Sequence, residues 1–147
     1  MTYADSVVAD LVAKHNTSVL KSEIANYYDA SNMVMAPTPV ATVRAEIFGF
    51  RIAGTTVSQL WKTDNAQDGS CGAAFSTAAM APLMTAGNDL VVARVCTTYT
   101  PTVAMFLGKN ILGQTPFSLG ESITQRLRST LKLTCYQTTV AAGTVCS

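Results

Sequence analysis

Apolar residues near the N-terminus recur at helical spacing. In residues 3–14 they fall at i, i+3, i+4, i+7 and i+8, which is the stripe of an amphipathic helix. The stripe consists of Ala4, Val7, Val8, Leu11 and Val12. A second apolar face predicts another helix over residues 18–35. That helix should end before Pro37 and Pro39, because proline fixes φ and lacks a backbone donor.

The pattern changes from helical to extended after residue 40. Residues 43–52 are rich in β-branched and aromatic side chains, and residues 55–63 continue beyond Gly54 as the return strand of a hairpin. The alternation along the first strand is irregular, which places a bulge near Gly49.

Polar loops, one short helix and two further strands are predicted in the rest of the chain. Residues 63–72 are polar and glycine-bearing, as in a loop, and a short helix within residues 75–87 begins or breaks at Pro82. The remaining segments are a strand over 89–101, a short helix or packed loop over 102–113, and a long strand over 122–136.

The order of helices first and strands afterwards predicts an α+β fold. A chain of 147 residues most simply forms one domain, residues 1–147. We expect a helical region, residues 1–36, to pack on one face of a roughly four-stranded antiparallel sheet. The sheet and its loops occupy residues 40–136, and residues 137–147 form a tail.

Composition excludes disorder and argues against a nucleic-acid partner. Apolar residues make up 48% of the chain and charged residues 13%, which suits a folded core. The net charge is only +1 and the basic residues are scattered rather than clustered. No apolar run approaches the ~20 residues that span a bilayer, and no signal sequence follows Met1. If the protein is exported, we expect a signal or anchor to precede this chain.

The four cysteines form an even set without a C-x-x-C pair. This favours two disulfides over a zinc site or free thiols. Joining Cys71 to Cys96 and Cys135 to Cys146 is the least entangled of the three possible connectivities, although spacing leaves the other two open. The second pair would close the tail, while Cys96 could equally be a small buried apolar residue.

Candidate catalytic and metal-binding residues are sparse. His15 is the only imidazole, in a polar stretch between helices where we expect it to be solvated, and the carboxylates are dispersed. We therefore expect no enzyme activity and no cofactor. Asp64 and Asp68 resemble the start of a calcium loop, but Ala66 and Phe75 occupy positions where ligands are needed. A polar turn is favoured, with calcium as the minor alternative.

Three segments resemble the TadE/TadG-like pilus-assembly family, the pseudopilin-like components of bacterial tight-adherence pili. They are the helical residues 4–37, the hairpin of residues 43–66 with Trp61, and residues 90–108, followed by the basic strand SITQRLRS. Val95, Tyr99 and Pro101 match the family's V-x-V-x-Y-x-Y-x-P-x-F pattern as framework residues that end a central strand. Thr97 replaces the usual first aromatic residue. Cys96 lies outside the pattern, and we expect it to form a disulfide with the loop at 63–73.

The resemblance implies a pilin-like fold and a non-enzymatic minor pilin or pilus-assembly component. It also implies a membrane helix upstream of this chain, and a location at the periplasmic face of the inner membrane or on the extracellular pilus. The expected partners are other pilus subunits or assembly proteins. We assign the assembly face to helix packing through Val7, Val8, Leu11 and Val12, where added charges should disturb either the core or subunit assembly.

Two other functions remain open. The first is a surface adhesin or ligand-binding module that uses the loops at 63–73 and 102–120. The second is a small secreted hydrolase whose acid/base cluster would have to combine His15 with the dispersed carboxylates.

Overall fold

Three helices and six strands form the described part of the computed structural model. Its described residues are 2–15, 17–35, 43–66, 71–85, 87–99, 117–127, 132–138 and 144–146. The elements are α1 (Thr2–Ala13), β1 (Ser18–Leu20), α2 (Lys21–Met35), β2 (Val43–Ala53), β3 (Thr56–Asp64), α3 (Thr77–Met80), β4 (Leu90–Tyr99), β5 (Phe117–Arg126) and β6 (Thr134–Tyr136). A 3₁₀ turn at Ala81–Leu83 follows α3. The segment predicted at 102–113 lies outside the described residues.

The main sheet has four antiparallel strands in the order β3-β2-β4-β5. The predicted α+β class, hairpin and four-stranded antiparallel sheet are therefore confirmed. Gly54 has a φ of +64° in the β2–β3 turn, a conformation that glycine adopts without steric cost. The register shifts between Gly49 and Phe50, where the sequence predicts a bulge.

Two predicted elements are wrong, and both involve a second, smaller sheet. Strand β1 pairs in parallel with β6, so residues 18–20 are extended and not helical. The Leu20 N–H donates to Glu23 Oε2 at 2.8 Å, which caps α2 and starts it at Lys21. The predicted long strand over 122–136 is also wrong: β5 ends at Arg126, opposite the first residue of β4, and β6 begins only at Thr134.

The first face of the main sheet carries the larger core and is packed against α1 and α2. Helix α1 lies across β4 and β5 and also contacts α2. Trp61 on β3 is 2% exposed; its ring lies against Gly49 on β2, and its Nε1 donates to the Leu133 carbonyl at 3.1 Å. This indole links the hairpin to the segment that leads into β6.

The second face of the sheet has its own apolar cluster. We use the name second face for the side that carries Phe48, Phe50, Leu90 and Val92, with which Met80 packs. Residues 71–85, here called the cover, lie over it and contain α3 and the 3₁₀ turn, with Pro82 in the turn. The predicted short helix is thus present, whereas the sequence did not predict that both faces of the sheet would be covered.

Candidate functional site

The predicted assembly face on α1 divides into two parts. Val8 and Val12 are fully buried and belong to the core under α1. Val7 and Leu11 are only half-buried. The apolar stripe therefore serves first to pack α1 on the sheet. Within the predicted face, Val7 and Leu11 are the side chains that retain exposed surface for a neighbouring protein.

Both disulfides form with the pairing that the sequence favours. Cys71 is bonded to Cys96, which joins the cover to β4, and Cys135 is bonded to Cys146, which joins β6 to the tail. The Cys146 N–H also donates to the Cys135 carbonyl at 2.9 Å. Two disulfides are compatible with a protein that works in an oxidising compartment.

A group of charged side chains lies beside the apolar cluster on the second face. Glu46, on β2, is fully buried, and its Oε2 accepts from Arg94 Nη2 at 2.7 Å and Nε at 3.0 Å. Its Oε1 lies 3.4 Å from Arg44 Nε and from Lys62 Nζ. Arg44 also pairs with Asp64 at 3.4 Å. We call these five residues the Glu46 cluster.

Arg94 connects the Glu46 cluster to the cover. Its guanidinium carbon lies 5.4 Å from the ring centre of Phe48 and 4.6 Å from that of Phe75, within cation–π range of both. Its Nη1 donates to the Ala73 carbonyl at 2.8 Å. One side chain therefore bonds the buried carboxylate on β2, contacts two aromatic rings and holds the backbone of the cover.

The ionisation of Glu46 is set by two opposing effects. Burial raises the pKa of its carboxyl, but hydrogen bonds and positive charge from Arg94 and Lys62 outweigh burial and hold the pKa below its ordinary value of 4.5. Glu46 is therefore ionised in the folded protein at neutral pH.

The lowered pKa of Glu46 predicts a loss of stability in acid. A carboxyl whose pKa is depressed by folding stabilises the fold above its unfolded pKa, and this contribution disappears as the pH falls through the lower folded value. We expect the free energy of unfolding, measured by urea titration, to fall as the pH drops below about 4.5. Glu46→Gln should weaken this dependence, and an unchanged pH profile in that variant would contradict the assignment.

A second buried ion pair was missed by sequence reasoning. Asp89 is 3% exposed and accepts two hydrogen bonds from Arg51, at 2.8 and 2.7 Å. Its Oδ2 also accepts from the Leu133 N–H at 2.8 Å. The pair joins β2 to the start of β4 and the segment before β6, and bonding to Asp89 raises the pKa of Arg51. A single Asp before a strand gives no sequence signal for such a role.

The candidate calcium residues are only partly described. Asp64 Oδ1 accepts from the Ala66 N–H at 3.0 Å, and Oδ2 pairs with Arg44, which is the polar-turn arrangement. Asp68 lies outside the described residues. Across the described ranges, no three or more His, Cys, Asp or Glu side chains are grouped to hold a metal ion.

His15 occupies the junction of α1 and β1. It is half-buried, and its Nε2 lies 2.7 Å from the Tyr27 hydroxyl on α2. This contact differs from the solvated position that the polar sequence predicts. The partner comes from the next helix, which local composition does not reveal.

An open cleft of about 310 Å³ lies between α2 and the end of β3. Tyr28 forms its buried part, and Lys21, Asp29 and Asp64 supply charges of both signs. Asn65 in its wall is engaged by the backbone, donating to the Val43 carbonyl at 2.8 Å and accepting from the Ala45 N–H at 3.1 Å. The sequence pointed only to the β3 end of this cleft, through the loop at 63–73.

Of the three framework residues, Val95 is the best described. It is fully buried in β4, opposite Ala45 on β2 and Glu121 on β5. Tyr99 is the last residue of β4, and Pro101 lies outside the described residues. The start of β4 at Leu90 agrees with the predicted strand to within one residue.

Comparisons with known proteins add no identification. The chain matches no protein-family model, no curated protein and no solved structure. The likeness to the tight-adherence pilus family therefore stays a prediction. In the ranges that the structure describes, none of the helices combines the length and the apolar character needed to cross a membrane.

Proposed function

We propose that this chain is a non-enzymatic minor pilin or assembly component of a bacterial tight-adherence pilus, which acts by packing against other pilus proteins. The observation that carries the proposal is the packing of α1 across β4 and β5 of a four-stranded antiparallel sheet. A helix packed on an antiparallel sheet is compatible with the pilin-like fold that the resemblance implies.

The burial pattern of α1 supports this role. Val8 and Val12 fix one side of the helix in the core, so that the helix is held rigidly on the sheet. Val7 and Leu11 lie at the margin of that contact and keep apolar surface that a neighbouring subunit can cover. A rigid helix with an apolar margin is suited to helix packing between subunits.

The two disulfides support a function outside the cytoplasm. The two disulfides close loops with sequence separations of 25 and 11 residues. Such closures stabilise a fold by about 3.5 and 2.8 kcal/mol in the chain-entropy model, as upper values. A subunit exposed on a cell surface benefits from this stabilisation, because it works where chaperones are absent.

Variants of a single helix, α1, can separate an effect on pilus assembly from an effect on folding. Leu11→Asp places a charge at the half-buried margin, and we expect it to fold while lowering the amount of pili sheared from cells that carry only this variant. Ser6→Asp adds the same charge at a partly exposed position of α1 outside the predicted face and should leave pilus yield unchanged. Val8→Asp places a charge at a fully buried position, as a control for loss of folding, and should unfold the domain.

Folding of each variant is checked by circular dichroism and thermal melting before pili are compared. Val7→Asp provides a second margin variant if Leu11→Asp does not fold. Unchanged pilus yield with a folded margin variant would exclude this face from assembly.

The cleft beside α2 favours ligand binding as the second candidate function. Its wall includes Asp64 and Asn65, which belong to the loop that the adhesin alternative uses. Adhesion is compatible with membership of a pilus. It predicts that amide signals of Asn65 and Ala66 shift when soluble host-surface glycans are added to the isolated domain, whereas signals of α1 stay unchanged. The hydrolase alternative ranks below both.

A further inference from the structure

We propose that the Cys71–Cys96 disulfide is a reducible latch, which holds the cover over the second face and releases it when an extracellular or periplasmic dithiol reduces the bond. The proposal concerns the cover, residues 71–85, and the apolar cluster beneath it. It goes beyond the role in pili and does not depend on it.

The two disulfides differ in access to solvent. Cys71 is half-buried, at the start of the cover, while Cys96 on β4 is 6% exposed. Cys135 and Cys146 are 0% and 3% exposed and belong to the core beneath the helices. Thiol–disulfide exchange requires a thiolate to approach a disulfide sulfur directly. Cys71 is therefore the cysteine nearest to solvent, and a reductant should attack its disulfide before the other bond, whose two cysteines are both buried.

The exchange is a two-step dithiol reaction. The thiolate of the reductant attacks Cys71 Sγ, forms a mixed disulfide and expels Cys96 as a thiolate. The second thiol of the reductant then attacks the mixed disulfide and releases Cys71. The reductant leaves as its own disulfide, and the chain gains two electrons and, after protonation, two protons.

The charges around Cys96 favour its departure as a thiolate. In the strand register, Arg44 lies directly opposite Cys96, and Arg94 is two residues earlier on the same side of β4. The Glu46 cluster as a whole holds three cations and two carboxylates, a net charge of +1. Nearby positive charge stabilises a thiolate, and a better leaving group speeds the exchange.

Without the disulfide, the cover is held by non-covalent contacts, which include Phe75 and Met80 packed on the second face. Helix α3 has only four residues, and its N-cap Ser76 makes no side-chain hydrogen bond. One helical turn is not stable by itself in water. Among the described residues, Arg94 donates to the Ala73 carbonyl at 2.8 Å and Arg126 to the Leu83 carbonyl at 2.9 Å, which attaches the cover to the sheet. Reduction removes the covalent link, so that opening of the cover has only these non-covalent contacts to break.

Opening the cover changes the surface of the protein without dismantling the rest of the fold. The second face would expose its apolar side chains, including Phe48 and Phe50, which are 3% and 0% exposed when covered. The larger core, on the first face of the sheet, includes both Cys135 and Cys146 and contains no described residue of the cover. The latch thus converts a change in redox conditions into exposure of an apolar surface.

The test follows partial reduction of the oxidised protein with dithiothreitol. Alkylation and peptide mass mapping at successive times should show Cys71–Cys96 opening at least about tenfold faster than Cys135–Cys146. Hydrogen exchange should then accelerate at the bonded cover amides of Ala79, Met80 and Met84, while the amides of α1 and β4 remain protected. Fluorescence of an apolar dye should rise over the same period.

Matched cysteine variants separate the latch from a general loss of stability. The variant C71S/C96S should show the open-cover signature without reductant, and C135S/C146S should keep the cover amides protected. If either variant fails to fold, the time course on the oxidised wild-type protein decides. The proposal is overturned if Cys135–Cys146 opens first or together with Cys71–Cys96. It is also overturned if the cover amides stay protected after reduction, or if those of α1 exchange at the same rate.

Discussion

Glu46→Gln is expected to lower the free energy of unfolding by about 3–5 kcal/mol, as for buried ion pairs that lose one partner. The substitution keeps the size of the side chain but removes the charge that balances Arg44, Lys62 and Arg94. Arg94 is 11% exposed, so water replaces little of the lost carboxylate at its guanidinium. The NH₂ half of the glutamine amide would also lie against N–H donors of the cations, with which it cannot form a hydrogen bond. Urea unfolding at pH 7 measures the effect.

Asp10→Asn is the matched control for this loss of charge. Asp10 pairs with Lys14 at 2.8 Å on the surface of α1, where the two side chains are 32% and 53% exposed. An exposed pair of this kind contributes less than about 1 kcal/mol, because water solvates both charges. Equal losses in the two variants would show that the Glu46 cluster does not behave as a buried ion pair.

Trp61→Ala is expected to cost about 3–5 kcal/mol, the range for deleting a large buried aromatic side chain. Trp61 is among the largest fully buried side chains, and it would also lose the hydrogen bond from its Nε1 to the Leu133 carbonyl. The orphaned carbonyl adds to the cavity left by the ring. Thermal and urea unfolding should both show the loss.

Gly49→Ala tests the same contact from the opposite strand. A Cβ at residue 49 would overlap the Trp61 ring, so the substitution should cost about 1–3 kcal/mol or more through overpacking in the central strand β2. In the Trp61→Ala background the ring is gone, and Gly49→Ala should cost much less. Additive losses in this double-mutant cycle would contradict the assigned contact. Gly54→Ala is the control, since no atom lies within 4 Å of its added Cβ and only its positive φ adds strain.

Local sequence patterns were sufficient for the elements whose partners lie close in the chain. The i, i+3, i+4 spacing predicted α1, and its apolar stripe includes Val8 and Val12, which are buried. The broken alternation at Gly49 located the bulge, and the least entangled pairing of the cysteines was the correct one. Each of these inferences depends on a period, a turn or a short loop, which sequence alone expresses.

Long-range pairings could not be predicted in the same way. Strand β1 is extended because it pairs with β6, which is far away in the sequence, and nothing within SVL itself overrides the helical pattern that follows. Glu46 is a charged residue in a strand, which normally indicates an exposed position. Its burial depends on the cover and on Arg94, and both come from later parts of the chain.

The central proposal, that the chain acts in a tight-adherence pilus, is tested most directly by locating the protein in the bacterium that makes it. Sheared pili and cell fractions would be analysed by mass spectrometry, with and without reduction before alkylation. The account predicts that the chain is found with the pili or at the periplasmic face of the inner membrane, with all four cysteines protected until they are reduced. Recovery from the cytoplasm with four free thiols would contradict it.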